Sequence, residues 1–225
     1  MIGTICREII KAGALEIRNL DTGQEPFLYS SGNWGPGYVM IKGLVSRPQL
    51  INWLCETLGG KVMSVTGGPD LVAGNVTGGV VPGWILSQYM KVPFVYVRDS
   101  RKKGGQKERV TGLYPGLSGS CLVVEELVNF AQTTVNSAGV LRALDFTVIH
   151  AATILSYDNP EAKLDLEAAG VQLISLITLG DLLAEAKRQE LFPVAAIEDY
   201  QRFLADPLAW QKARGLEPVK DGGTK

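Results

Sequence analysis

Apolar residues recur along the chain in short runs separated by amphipathic stretches, and the alternation predicts strands and helices in turn. The amphipathic start predicts a helix over Thr4–Ile17, with Thr4 as its N-cap. Short strands near Phe27–Ser31 and Tyr38–Ile41 follow, then a helix over Pro48–Leu58 stopped by Gly59-Gly60. Beyond that point the units alternate regularly. The predicted order is strand Leu71–Gly74, helix Val81–Met90, strand Phe94–Arg98, a long polar loop, strand Leu122–Glu125 and helix Thr134–Leu144. Strand Phe146–Leu155, helix Pro160–Ala169 and strand Gln172–Ile177 complete the series, and two helices over 179–190 and 194–204 close it. Run-like apolar strands suit a sheet covered on both faces. The alternation therefore predicts an α/β fold with a doubly wound, mainly parallel sheet of about five strands.

Composition narrows the class without naming a function. The 225 residues suffice for one sizeable core, and a hydrophobic share of 46% argues against disorder. With 22 basic against 23 acidic residues, there is no electrostatic footprint for nucleic acid or an anionic membrane. No apolar run approaches the ~18 residues of a membrane span, and the N-terminus lacks the pattern of a secretory signal. Cys6, Cys55 and Cys121 are odd in number and far apart, so reduced core thiols in a cytoplasmic protein are expected. The one histidine, His150, sits in an apolar run and is expected to pack there; no metal site is predicted.

Two segments carry candidate chemistry. Residues 121–134 read Cys-Leu-Val-Val-Glu-Glu-Leu-Val-Asn-Phe-Ala-Gln-Thr-Thr: an apolar strand, two acids, a turn and a helix start. Ligands of α/β folds gather at such carboxyl ends of strands. The loop Arg98–Gly112 holds six basic residues and three glycines in fifteen positions, a composition suited to closing on a diphosphate.

The first of these segments resembles the signature of type I phosphoribosyltransferases, in which two acids meet the ribose hydroxyls of phosphoribosyl pyrophosphate (PRPP). Other segments resemble orotate phosphoribosyltransferases in the same chain order. They are the hood segment 27–41, the pyrophosphate loop 70–82, the strand and loop 93–112, the late strand and helix start Leu173–Leu183, and the closing helix Ala196–Phe203. The resemblance implies a single domain over 1–210 with a small hood, about 20–45 plus the C-terminal helices, and a flexible tail over 211–225. It implies PRPP contacts at Thr77, Gly78, Gly79, Glu125, Glu126, Asn129, Ala131, Gln132 and Thr133. It implies leaving-group contacts at Arg98, Lys102 and Lys103, base contacts at Ser30 and Asn159, Mg²⁺ carried with PRPP, and a homodimer with Trp34, Trp53 and Trp84 as candidates for covered surface.

The sequence also departs from that pattern. The phosphate turn Asn129-Phe130-Ala131-Gln132 contains no glycine, although such a cradle calls for inward N–H groups and positive φ. Asp99 and Gly104 stand where the family has Lys and His, and Ser30 and Asn159 where it has Lys and Arg. All five departures weaken anion binding. The sequence alone therefore favours a non-catalytic relative, sensing a phosphate-bearing small molecule or binding an unidentified protein. An active enzyme joining orotate and PRPP is the alternative.

Overall fold

The computed structural model describes residues 1–29, 31–98 and 109–219. Ser30, Asp99, Lys102, Lys103 and Gly104 lie outside the described residues. The chain forms two compact units, Met1–Met40 with Gly180–Lys225 and Ile41–Leu179.

In the first unit, helix α1 (Ile2–Lys11) buries Ile5, Cys6, Ile9 and Ile10 along one stripe. It stops six residues before the predicted end, because Gly13 turns the chain at φ 79°. Strand β1 (Leu15–Ile17) occupies the rest of the predicted helix. Strands β2 (Phe27–Leu28) and β3 (Trp34–Gly35) form a hairpin, and β4 (Gly37–Val39) pairs antiparallel with β1.

The second unit opens with helix α2 (Pro48–Thr66), which runs straight through Gly59-Gly60 to a left-handed cap at Gly67. Packing overrides the breaker signal there. A Cβ at Gly59 would lie 2.7 Å from the Tyr89 ring, so only glycine admits the neighbouring helix. That helix is α3 (Val80–Met90), which follows β5 (Leu71–Asn75) and precedes β6 (Phe94–Val97) and β7 (Val110–Thr111). Then come β8 (Cys121–Val128), α4 (Gln132–Arg142), β9 (His150–Ser156), α5 (Pro160–Ala168) and β10 (Gln172–Thr178). The strand order is β10-β9-β8-β5-β6-β7; every pairing is parallel except β6 with β7. This is the expected α/β doubly wound architecture with an antiparallel edge strand added. Its core includes Ala73, Val95, Val123, Leu141 and Ala151, all essentially buried. Each such Val or Leu contributes roughly 1.5–3 kcal/mol by leaving water.

The chain returns to the first unit through α6 (Leu179–Arg188), α7 (Val194–Ala205) and α8 (Pro207–Lys212). The three cysteines are free and buried, and burial pushes each thiol up to about 12, so they act as small apolar side chains. His150 opens β9 at the sheet's margin rather than sitting in mid-strand. No described helix is long and apolar enough to cross a membrane.

Candidate functional site

Strand β8 outlasts the predicted Leu122–Glu125. It continues to Val128, so Glu125 and Glu126 lie within the strand rather than beyond its end. Parallel pairing with β5 on one side and β9 on the other puts Glu125 next in register to Asn75 and opposite Thr153. Glu125 is 7% exposed. The Asn75 side-chain amide donates to its Oε1 at 2.6 Å, and the Thr133 hydroxyl donates to the same oxygen at 2.8 Å. Burial pushes the Glu125 carboxyl up to about 7. The two hydrogen bonds pull the other way, and the adjacent Glu126 carboxyl raises it further.

The turn after β5 is pressed onto this strand. A Cβ on Gly79 would lie 2.1 Å from the Val124 carbonyl oxygen, and one on Gly78 would lie 1.8 Å from the Glu126 carboxyl carbon. Glycine at position 79, which faces main-chain atoms, is thus a packing requirement, and it brings the backbone of Thr77–Gly79 up to the acid pair. The peptide bond between Val76 and Thr77 is cis, and Thr77 is exposed.

Helix α4 begins beside the same acids. Ala131 occupies its N-cap in the left-handed region, φ 61° and ψ 3°. A turn without glycine predicts the loss of this conformation, whereas Ala131 adopts it. No side chain caps α4, although Thr133, two residues in, reaches back to Glu125. Uncapped first-turn N–H groups and the positive end of the dipole make such a terminus receptive to an anion. Gln132 and Thr133 are exposed there, while Asn129 and Phe130 are half-buried.

Other candidate residues are engaged elsewhere. Asn159 caps α5 by accepting from the Glu161 N–H at 3.0 Å, and its amide donates to Asn129 Oδ1 at 3.3 Å. Arg98 donates to the Thr111 hydroxyl at 2.6 Å and to the Tyr96 hydroxyl at 3.1 Å, with its guanidinium 4.9 Å from the Tyr96 ring centre. The structure thus gathers Thr77, Gly78, Gly79, Glu125, Glu126, Ala131 and Thr133, with Asn159 joined to the turn through Asn129. Asn75 was missed. Its signal was a lone polar residue ending an apolar strand, in parallel register with the first acid. Among the described residues, no group of three or more His, Cys, Asp or Glu side chains is placed to ligate a metal.

A mostly parallel sheet flanked by helices, with an acid pair on a central strand running into a turn and helix, has the architecture of type I phosphoribosyltransferases. Among solved structures, UMP synthase from Leishmania donovani aligns with TM-score 0.73 and 20% identity, over 90% of this chain and 42% of that one. Orotate phosphoribosyltransferase from Aeropyrum pernix aligns with TM-score 0.69 and 23% identity, over 84% of this chain and 99% of that one. No protein-family model matches. In sequence, the orotate phosphoribosyltransferase of Jannaschia sp. (strain CCS1) is 33% identical over 195 residues, 85% of each chain. The chain belongs to the orotate phosphoribosyltransferase family.

Proposed function

We propose that the protein is an active orotate phosphoribosyltransferase, joining orotate and PRPP to give orotidine 5′-monophosphate and pyrophosphate. The observation that carries this reading is the convergence of the Glu125–Glu126 pair, the Thr77–Gly79 turn and the uncapped start of α4. Glu125 and Glu126 accept hydrogen bonds from the ribose hydroxyls. The backbone of Thr77-Gly78-Gly79 holds pyrophosphate. Asn129, Ala131, Gln132 and Thr133 present N–H groups to the 5′-phosphate. Arg98, Lys102 and Lys103 offset charge on the departing pyrophosphate; Arg98 must exchange its Thr111 and Tyr96 partners to do so. Ser30 and Asn159 serve the base as neutral groups.

Mg²⁺ fits the donor set. It favours hard oxygens, one or two carboxylates and the substrate's own phosphates, and Glu125 and Glu126 supply carboxylates at this site. The bound ion supplies charge neutralisation to the pyrophosphate. The protein's own groups orient the ribose and hold the phosphates apart. A homodimer completes the proposal: Trp84 on α3 is 53% exposed beside exposed Val81, an apolar surface a second copy would cover, whereas Trp34 and Trp53 are half-buried.

One observation favours a second reading, a non-catalytic homologue that senses a ligand or binds a protein. Both ends of the Asn159 carboxamide are committed, leaving no cation at that position for a carboxylate. Steady-state assay with orotate, PRPP and Mg²⁺ decides between them. Formation of orotidine 5′-monophosphate in step with pyrophosphate is expected. Absence of product at millimolar substrates would overturn the enzyme in favour of the sensor.

A further inference from the structure

Asn75 is tied to both halves of the proposed PRPP site, and the proposed chemistry gives it no part. It ends β5 and is 3% exposed. Its main-chain carbonyl accepts from the Gly79 N–H at 2.9 Å and so closes the Thr77–Gly79 turn. Its side-chain Nδ2 donates to Glu125 Oε1 at 2.6 Å. One residue thus holds the turn with its backbone and the acid with its side chain. All of these groups belong to the unit Ile41–Leu179.

The other end of the carboxamide is informative. Asn75 Oδ1 is buried and has no hydrogen-bond partner among the described residues. An amide oxygen left unpaired in the interior is unfavourable, and an aliphatic side chain would avoid it. The amide is therefore accounted for by its donor end, which meets a carboxyl that is itself buried.

Thr133 adds a second donor. From the first turn of α4 its hydroxyl reaches the same Oε1 at 2.8 Å. A carboxylate oxygen offers about two acceptor positions, so these two donors fill Oε1. Rotation of the carboxylate is then opposed from two elements, β5 on one side and α4 on the other.

We propose that Asn75 and Thr133 clamp the Glu125 carboxylate so that only its Oε2 meets a ribose hydroxyl of PRPP, with Asn75 as a positioning residue. The proposal rests on the reading of this site as the PRPP site.

Calorimetric titration of the full protein with PRPP in Mg²⁺ tests it through a double-mutant cycle. Asn75→Ala is expected to weaken PRPP binding about tenfold or more, the size of one lost hydrogen bond to a charged group. Added to Glu125→Ala, the same substitution should change the Kd by no more than about twofold, because the group it positions is gone. Thr133→Val, at an exposed site, removes the second donor to Oε1 and should follow the same pattern; it decides the matter if Asn75→Ala does not fold. An unchanged Kd in the single variants would overturn the clamp. A loss that persists in the Glu125→Ala background would overturn it too, since the substituted residue would then act through the backbone or the fold rather than through Glu125. No binding by the wild type would overturn the transferase reading and the clamp with it, whereas wild-type binding matched by the variants overturns the clamp alone.

Discussion

Glu125 shows how one side chain ties the fold to the site. Its carboxyl is buried between two strands, with one oxygen engaged by Asn75 and Thr133, and burial raises it from 4.5 to about 7. The folded protein therefore holds a proton between those pH values that the unfolded chain has released. Stability on this account is highest below pH ~4.5 and falls as pH rises through about 7. Glu125→Gln cannot ionise and keeps an acceptor for Asn75 and Thr133. It should flatten this dependence and be more stable than wild type by roughly 2–3 kcal/mol at pH 8, with little difference at pH 5. Urea unfolding at the two pH values checks this; equal stability differences at both would contradict it. The acids, Thr133 and the paired glycines were legible through the resemblance of their segments to orotate phosphoribosyltransferases. Asn75 was not, because a polar residue ending a strand is usually solvated, and only the parallel register reveals its partner.

At the scale of elements, the strand and helix order was legible, while several boundaries were not. Gly59-Gly60 reads as a helix stop, yet α2 passes through it because Tyr89 of α3 fills the space over Gly59. The N-terminal periodicity continues past Lys11, but Gly13 breaks the helix, and Leu15–Ile17 find partners in Gly37–Val39. Both outcomes are tertiary choices that overrule local propensity. The start of α4 is the instructive case. Sequence marks Ala131 as unsuited to positive φ, yet it stands at φ 61° in the cap. Holding alanine there costs about 1–2 kcal/mol, partly offset by the greater freedom glycine has when unfolded. Ala131→Gly should therefore stabilise the protein by roughly 0.5–1 kcal/mol, read as a higher urea midpoint with an unchanged slope. A lower midpoint would show that the methyl group, buried at this position, matters more through packing than through strain.

For the whole molecule, the α/β class and its parallel sheet followed from alternation alone, and the family followed from ordered segments along most of the chain. The second copy is proposed from the exposed Trp84 face. Light scattering at micromolar concentration should give the mass of two chains, and Trp84→Arg should shift it toward one; a wild-type monomer would contradict the dimer. The central claim is that the acid pair on β8, the turn after β5 and the start of α4 form a working PRPP site. Calorimetric titration with PRPP in Mg²⁺, comparing wild type with the Glu125→Ala/Glu126→Ala double variant, tests it most directly. The account predicts saturable binding at about micromolar Kd by wild type and a loss of about a hundredfold or more in the variant, from two charge-assisted hydrogen bonds at roughly 1.5–3 kcal/mol each. No binding by wild type, or equal binding by both proteins, would contradict it.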